Sequence, residues 1–345
     1  MAFSVLWACL GGSLISLALF DFYTTTMTLK GGGPLSSRLP HRLWRLGLHL
    51  HQRVGTPRLL SAAGPSLLLL MILVWFGLCW LGWLLIFSAS AEAVVNADTL
   101  VPATWVERLY FAGYTLTTVG YGDFKANTSA AQIAAVFAGF NGLFLLTLAI
   151  TYSMPILSAS ATRRQIALQI NILGRNPDEI ITRHNEQGRF SFLASQLQQL
   201  NTQIAAVSQQ HLAYPILHYF HDNRRSHALP LNIACLQEAC TAILFAFPQL
   251  PYATRAQLEA TQAVIDDFVN NVRPVVAEQR TDIPKPPACT GLESLSQAER
   301  TPLEVREYMQ SQQRRRLLLG LIESDGWDWD DVLESSSGVD TAGKA

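Results

Sequence analysis

Apolar residues gather in three long runs near the start of the chain. The first, Met1 to Phe20, meets its first charge at Asp21. The second, Ser66 to Phe87, lies inside an uncharged stretch from Leu59 to Ala91. The third, Gln132 to Pro155, lies inside another from Ala126 to Thr162. A bilayer core ~30 Å thick is crossed by ~20 apolar residues in a helix, so each run predicts a membrane span. The first run lacks a basic leader and a small-residue cleavage site before Asp21, and is read as a retained helix rather than a signal peptide. Pro65 opens the second span, where its missing N–H costs little. Trp75, Trp80 and Trp83 make that span bulky and are expected to face lipid or a neighbouring helix.

Basic residues set an orientation. Lys30, Arg38, Arg42, Arg45, Arg53 and Arg58 occupy the first linker with no acid among them. Such loops stay on the cytoplasmic side. The expectation is a multi-pass protein of a plasma or bacterial inner membrane, with its N-terminus outside and its C-terminus cytoplasmic. Within the linker, Leu39, Leu43, Leu46 and Leu50 recur at helical spacing between Arg42, Arg45 and Arg53. After the break at Gly31, Gly32, Gly33 and Pro34, this reads as an amphipathic helix on the inner leaflet or as a surface loop.

Beyond residue 163 the pattern becomes that of a soluble helical domain. Leu193, Leu197, Leu200, Ile204 and Val207 are spaced 4, 3, 4, 3, which predicts one buried helix face. Further helices fit Leu231 to Phe247 and Arg255 to Val272, the latter stopped by Pro274. The expected division is an N-terminal span over 1–27, a basic linker over 28–64 and a membrane domain over 65–160. A helical domain over 163–275, a Pro-rich linker over 276–302, a helix over 303–323 and an acidic, polar tail over 324–345 follow. His211, His218, His221 and His227 cluster in sequence, but no carboxylate completes a metal set. The five cysteines show no C-x-x-C spacing and read as small buried hydrophobes.

Composition narrows the function. Net charge is −1, which gives no footing for nucleic acid, and charged residues are 15% of the chain, against a usual ~25%. No nucleophile, metal or phosphate-loop constellation points to an enzyme, and no cofactor is called for.

One segment carries chemistry. Trp105 to Leu116 fits a half-length helix, and Thr117-Thr118-Val119-Gly120-Tyr121-Gly122-Asp123 follows it, between two spans. In this setting the sequence resembles the potassium-channel family. The resemblance implies an all-α membrane protein with a potassium-channel pore: two spans (66–87 and 132–155) flanking a re-entrant pore helix (105–117) and filter (118–122). An extra N-terminal span and a helical cytoplasmic domain are added to this. It implies K⁺ bound by carbonyls of Thr118, Val119, Gly120 and Tyr121, replacing the ion's water. Gly120 and Gly122 can take positive φ without a Cβ clash. Thr117, Asp123, Tyr110 and Tyr114 would support the filter, with Tyr110 or Tyr114 offering a hydroxyl to Asp123. Gly142, or its neighbour Gly139, is a gating hinge or a packing glycine. Asn141 and Thr147 are candidates to line the cavity, and Pro155 to kink or end the third span. With one filter per chain, the pore implies a homotetramer in the lipid bilayer, gated by an unidentified ligand or partner of the cytoplasmic domain. The alternative is a non-conducting or weakly selective membrane-anchored sensor or scaffold of the same architecture. Asn127-Thr128-Ser129 forms a glycosylation sequon.

Overall fold

Long uncharged runs leave the backbone no partner but itself in an apolar medium, and the helix is the segment that satisfies this alone. The computed structural model describes residues 2–28, 32–54, 57–273, 282–289, 292 and 298–334. Lys30, Gly31, Pro274, the side chains of Leu50, Arg53 and Arg58, and the tail beyond 334 lie outside the described residues. Helices α1 (Ala2–Met27), α2 (Arg38–Val54) and α3 (Pro57–Phe87) precede a short strand β1 (Val94–Asn96). Helix α4 (Trp105–Leu116), strand β2 (Phe124–Ala126) and helix α5 (Ser129–Leu173) follow. Then come α6 (Pro177–Arg183), α7 (Ser191–Ala213), α8 (Leu229–Ala246) and α9 (Tyr252–Val272). Helices α10 (Pro302–Ser311), α11 (Arg314–Ser324) and α12 (Asp330–Leu333) complete the order. The chain divides into two compact units, residues 1–41 with 66–156 and residues 42–65 with 157–345.

In the first unit α1 and α3 cross at glycines. A Cβ on Gly11 would stand 2.4 Å from the Gly82 carbonyl oxygen, so the backbones touch. Some polar groups of this unit turn inward. Asp21 is 0% exposed; its carboxylate accepts the Trp75 indole N–H at 2.8 Å and the Leu35 amide at 2.6 Å. Trp80 donates to the Leu109 carbonyl at 2.9 Å and Trp83 to Asn141 at 3.0 Å. All three tryptophans therefore bond to neighbouring segments. Outward-facing positions are apolar, including Leu69, Leu73 and Leu81 on α3 and Val136, Phe137, Phe140 and Met154 on α5.

Three findings depart from the expected picture here. Helix α3 begins at Pro57, so Pro65 lies inside the helix and does not open it. Helix α5 does not end near Pro155 but continues through it to Leu173. Strands β1 and β2 pair antiparallel, Val94 with Ala126 and Asn96 with Phe124, a small sheet beside an otherwise helical unit. Three-residue strands are too short to leave a period-2 pattern.

In the second unit α8 is the axis. By length and apolarity α1, α3, α5 and α8 all qualify to cross a membrane. In α8, however, every residue but Leu244 and Phe245 is buried within the bundle, the signature of a core helix. Helices α6, α9, α10, α11 and α12 pack on it. The α7 stripe Leu193, Leu197, Leu200, Ile204 and Val207 is buried, as are Leu258, Ile265, Phe268, Val269 and Val272 of α9.

The helix expected over 303–323 is two helices, broken at Gln312 and Gln313. The break accompanies a buried charge. Arg315 is 1% exposed; its Nε reaches the two Glu238 carboxylate oxygens at 2.9 and 3.1 Å. Its other nitrogens donate to the Pro284 and Lys285 carbonyls at 2.7 and 2.8 Å. The Trp329 ring lies 5.2 Å from the guanidinium carbon and its N–H also reaches Lys285. The start of the acidic tail is thus part of the core.

Candidate functional site

The site is the loop between α3 and α5. Helix α4 begins in a capping box: the Glu107 carboxylate accepts the Thr104 amide at 2.7 Å while Thr104 accepts the Glu107 amide. This satisfies amides that the first turn leaves unpaired. Arg108 braces the same end by donating to the Ala91 and Ala103 carbonyls at 2.7 and 3.0 Å.

The C-terminal end of α4 organises the filter sequence. A helix leaves its last carbonyls without partners. Here the next amides take them: Thr117 donates to Gly113 at 2.9 Å, Thr118 to Thr115 at 3.1 Å and Val119 to Tyr114 at 2.9 Å. Gly120 also donates to Tyr114, at 3.4 Å. Four successive N–H groups therefore point back at the helix. Thr118, Gly120 and Gly122 have φ of 59°, 61° and 84°, whereas Val119 and Tyr121 between them stay in negative φ. Backbone that alternates hand gathers its N–H groups on one side, so its carbonyls collect on the other. Two of the three left-handed positions are glycine, for which that region carries no Cβ clash. At Thr118 the conformation costs on the order of 1 kcal/mol.

Aromatic rings back this loop. Tyr110 stacks at 6.0 Å on Tyr121, and Tyr114 meets Tyr121 edge-on at 6.1 Å. The Tyr114 hydroxyl donates to the Phe124 carbonyl at 2.6 Å rather than to Asp123. The Asp123 carboxylate accepts the Phe124 amide at 3.2 Å. Val119 and Tyr121 are 56% and 70% exposed in the single chain.

Helix α5 lies close behind. A Cβ on Gly142 would fall 1.6 Å from the Leu116 carbonyl oxygen, whereas one on Gly139 would make an ordinary 3.6 Å contact with the Thr115 carbonyl. Gly142 therefore packs closely against the end of α4. Asn141 corrects an expectation: it is buried, accepts the Trp83 indole and does not face open space. Thr147 is exposed on α5. Asp21 is a further polar anchor of this unit, and an acid inside a 26-residue helix is its signal in the sequence.

These features define an all-α membrane channel fold. Residues 70–159 match a family described as ion channel. The chain is also similar to the uncharacterized membrane protein YdjJ of Bacillus subtilis (strain 168), 27% identical over 321 residues, which cover 92% of this chain and 93% of that protein. No solved structure matches.

Proposed function

We propose that the protein is a homotetrameric, potassium-selective channel that carries K⁺ down its electrochemical gradient. The alternating hand of the backbone from Thr118 to Gly122, with its amides turned back onto α4, carries this reading. Such a strand presents consecutive carbonyl oxygens to one side, and four copies around an axis would replace the water of a potassium ion. The negative end of the α4 dipole favours a cation near the same point. Exposed apolar faces on α5 and at Val119 and Tyr121 suit lipid and neighbouring subunits. The filter support falls to Thr117, Tyr110, Tyr114 and Asp123. Gating by the C-terminal bundle belongs to the same reading, because α5 is continuous from the loop into that unit.

The test is potassium flux into liposomes holding the purified full chain, with sodium as competitor and Gly120→Asp as control. Barium-sensitive flux that prefers potassium and disappears in Gly120→Asp is the expected result. Equal flux of potassium and sodium, or no flux from either the full chain or a chain lacking 163–345, overturns the reading.

A further inference from the structure

The C-terminal bundle contains a cavity of about 510 Å³ between α8, α9 and α11, a volume that suits a small metabolite. Its lining is divided by chemistry. Arg273, Arg314 and Arg316 supply three cations against one acid, Asp266, which pairs with Arg314 at 3.3 Å. Ile265, Leu317 and Leu321 supply an apolar wall.

The remaining feature is Gln237, on α8. It lines the cavity, is 1% exposed, and both its amide nitrogen and its amide oxygen lack a hydrogen-bond partner among the described residues. A buried amide left unpaired costs stability. Its two idle groups, one donor side and one acceptor, match a partner offering an acceptor and a donor side by side. Nucleobase edges have that arrangement, and glutamine reads them bidentately. The Arg316 Nε is likewise unpartnered among the described residues, and guanidinium forks are suited to phosphate.

We propose that this cavity binds a nucleotide, with the base held by Gln237 against the apolar wall and the phosphate held by Arg273, Arg314 and Arg316. The site does not depend on whether the chain conducts ions, so binding and flux can fail separately.

The test is isothermal titration calorimetry on the full chain in detergent micelles. The probes are AMP, ATP, GMP and UMP, with adenosine and inorganic phosphate beside them. At least one nucleotide is expected to bind at millimolar concentration or below, and adenosine to bind more weakly than AMP. Gln237→Leu and Arg316→Gln are each expected to weaken binding by about tenfold or more. Gln237→Leu should leave thermal stability unchanged or raised, since it removes an unpaired buried amide. Where Gln237→Leu fails to fold, Arg316→Gln at the rim gives the reading. Binding by none of the four nucleotides overturns the proposal. So does binding that neither variant changes, or inorganic phosphate binding as tightly as the best nucleotide.

Discussion

Helix α8 and the uncharged part of α5, residues 129–162, are both predominantly apolar, yet they live opposite lives. Helix α8 buries almost every side chain among its neighbours, while α5 shows Val136, Phe137, Phe140, Leu143, Ile150 and Met154 on its outside. The same contrast runs through their units. Around α5 some polar groups are inside and many hydrophobes outside; Asp21 and Asn141 are each held by a tryptophan indole. Around α8 a buried ion pair, Arg315 with Glu238, is enclosed by an apolar core. Apolarity tells a helix to leave water. Whether lipid or protein receives it depends on what packs alongside.

The largest expected effect breaks the contrast at Arg315. Arg315→Met leaves the Glu238 charge buried without its partner and should destabilise the bundle by about 3–5 kcal/mol. Adding Glu238→Leu should restore most of that. Thermal unfolding of the two variants checks it, and a double variant no more stable than the single would refute it.

Next comes Gly142→Ala. Its new Cβ would collide with the Leu116 carbonyl, and overpacking of this kind costs ~3 kcal/mol. Because the collision is at the end of α4, the filter loop should move with it. Loss of thermal stability, together with altered ion selectivity where flux is measurable, is the expected readout; wild-type stability contradicts it. Asp21→Leu should follow at about 1–3 kcal/mol, since the Trp75 indole and the Leu35 amide lose their acceptor. Asp21→Asn should recover part of the loss, as measured by the same melts.

The smallest effect is a pH dependence confined to the bundle. Two buried histidines are displaced in opposite directions. Burial acts to lower His221, but the Asp325 carboxylate at 3.8 Å and Asp222 outweigh it, so its pKa lies above 6.5. Burial and the neighbouring Arg163 hold His211 well below 6.5. The His221 contribution is complete below ~6.5 and is lost as pH rises through the raised value. The His211 contribution is complete above ~6.5 and is lost as pH falls below it. Asp325→Asn should therefore remove the alkaline loss and leave the acidic one, and His211→Gln should do the reverse. Melting temperatures across about pH 5 to 8 test this.

The filter was legible because its chemistry demands particular residues. Positive φ at alternate positions calls for glycine, and Gly120 and Gly122 stand at two of the three. The half-length helix before it was legible from its apolar run. Asn141 misled because a polar residue in a span suggests a wet surface, whereas the indole of Trp83, 58 residues away, takes its oxygen. The run Arg314-Arg315-Arg316 gives no local sign of burial. That its middle member is buried follows from Glu238, 77 positions earlier.

From sequence alone came the membrane spans, the half-length helix, the filter motif and the buried stripes of α7 and α9. Each depends on neighbours within a few residues or on a run of one polarity. The tertiary structure alone decided the rest. It placed α8 in a protein core, set Gly142 against Leu116, gave Asp21 its indole and brought three arginines and an unpaired glutamine to one cavity. These outcomes rest on atoms far apart in the chain, whose meeting local propensity does not encode.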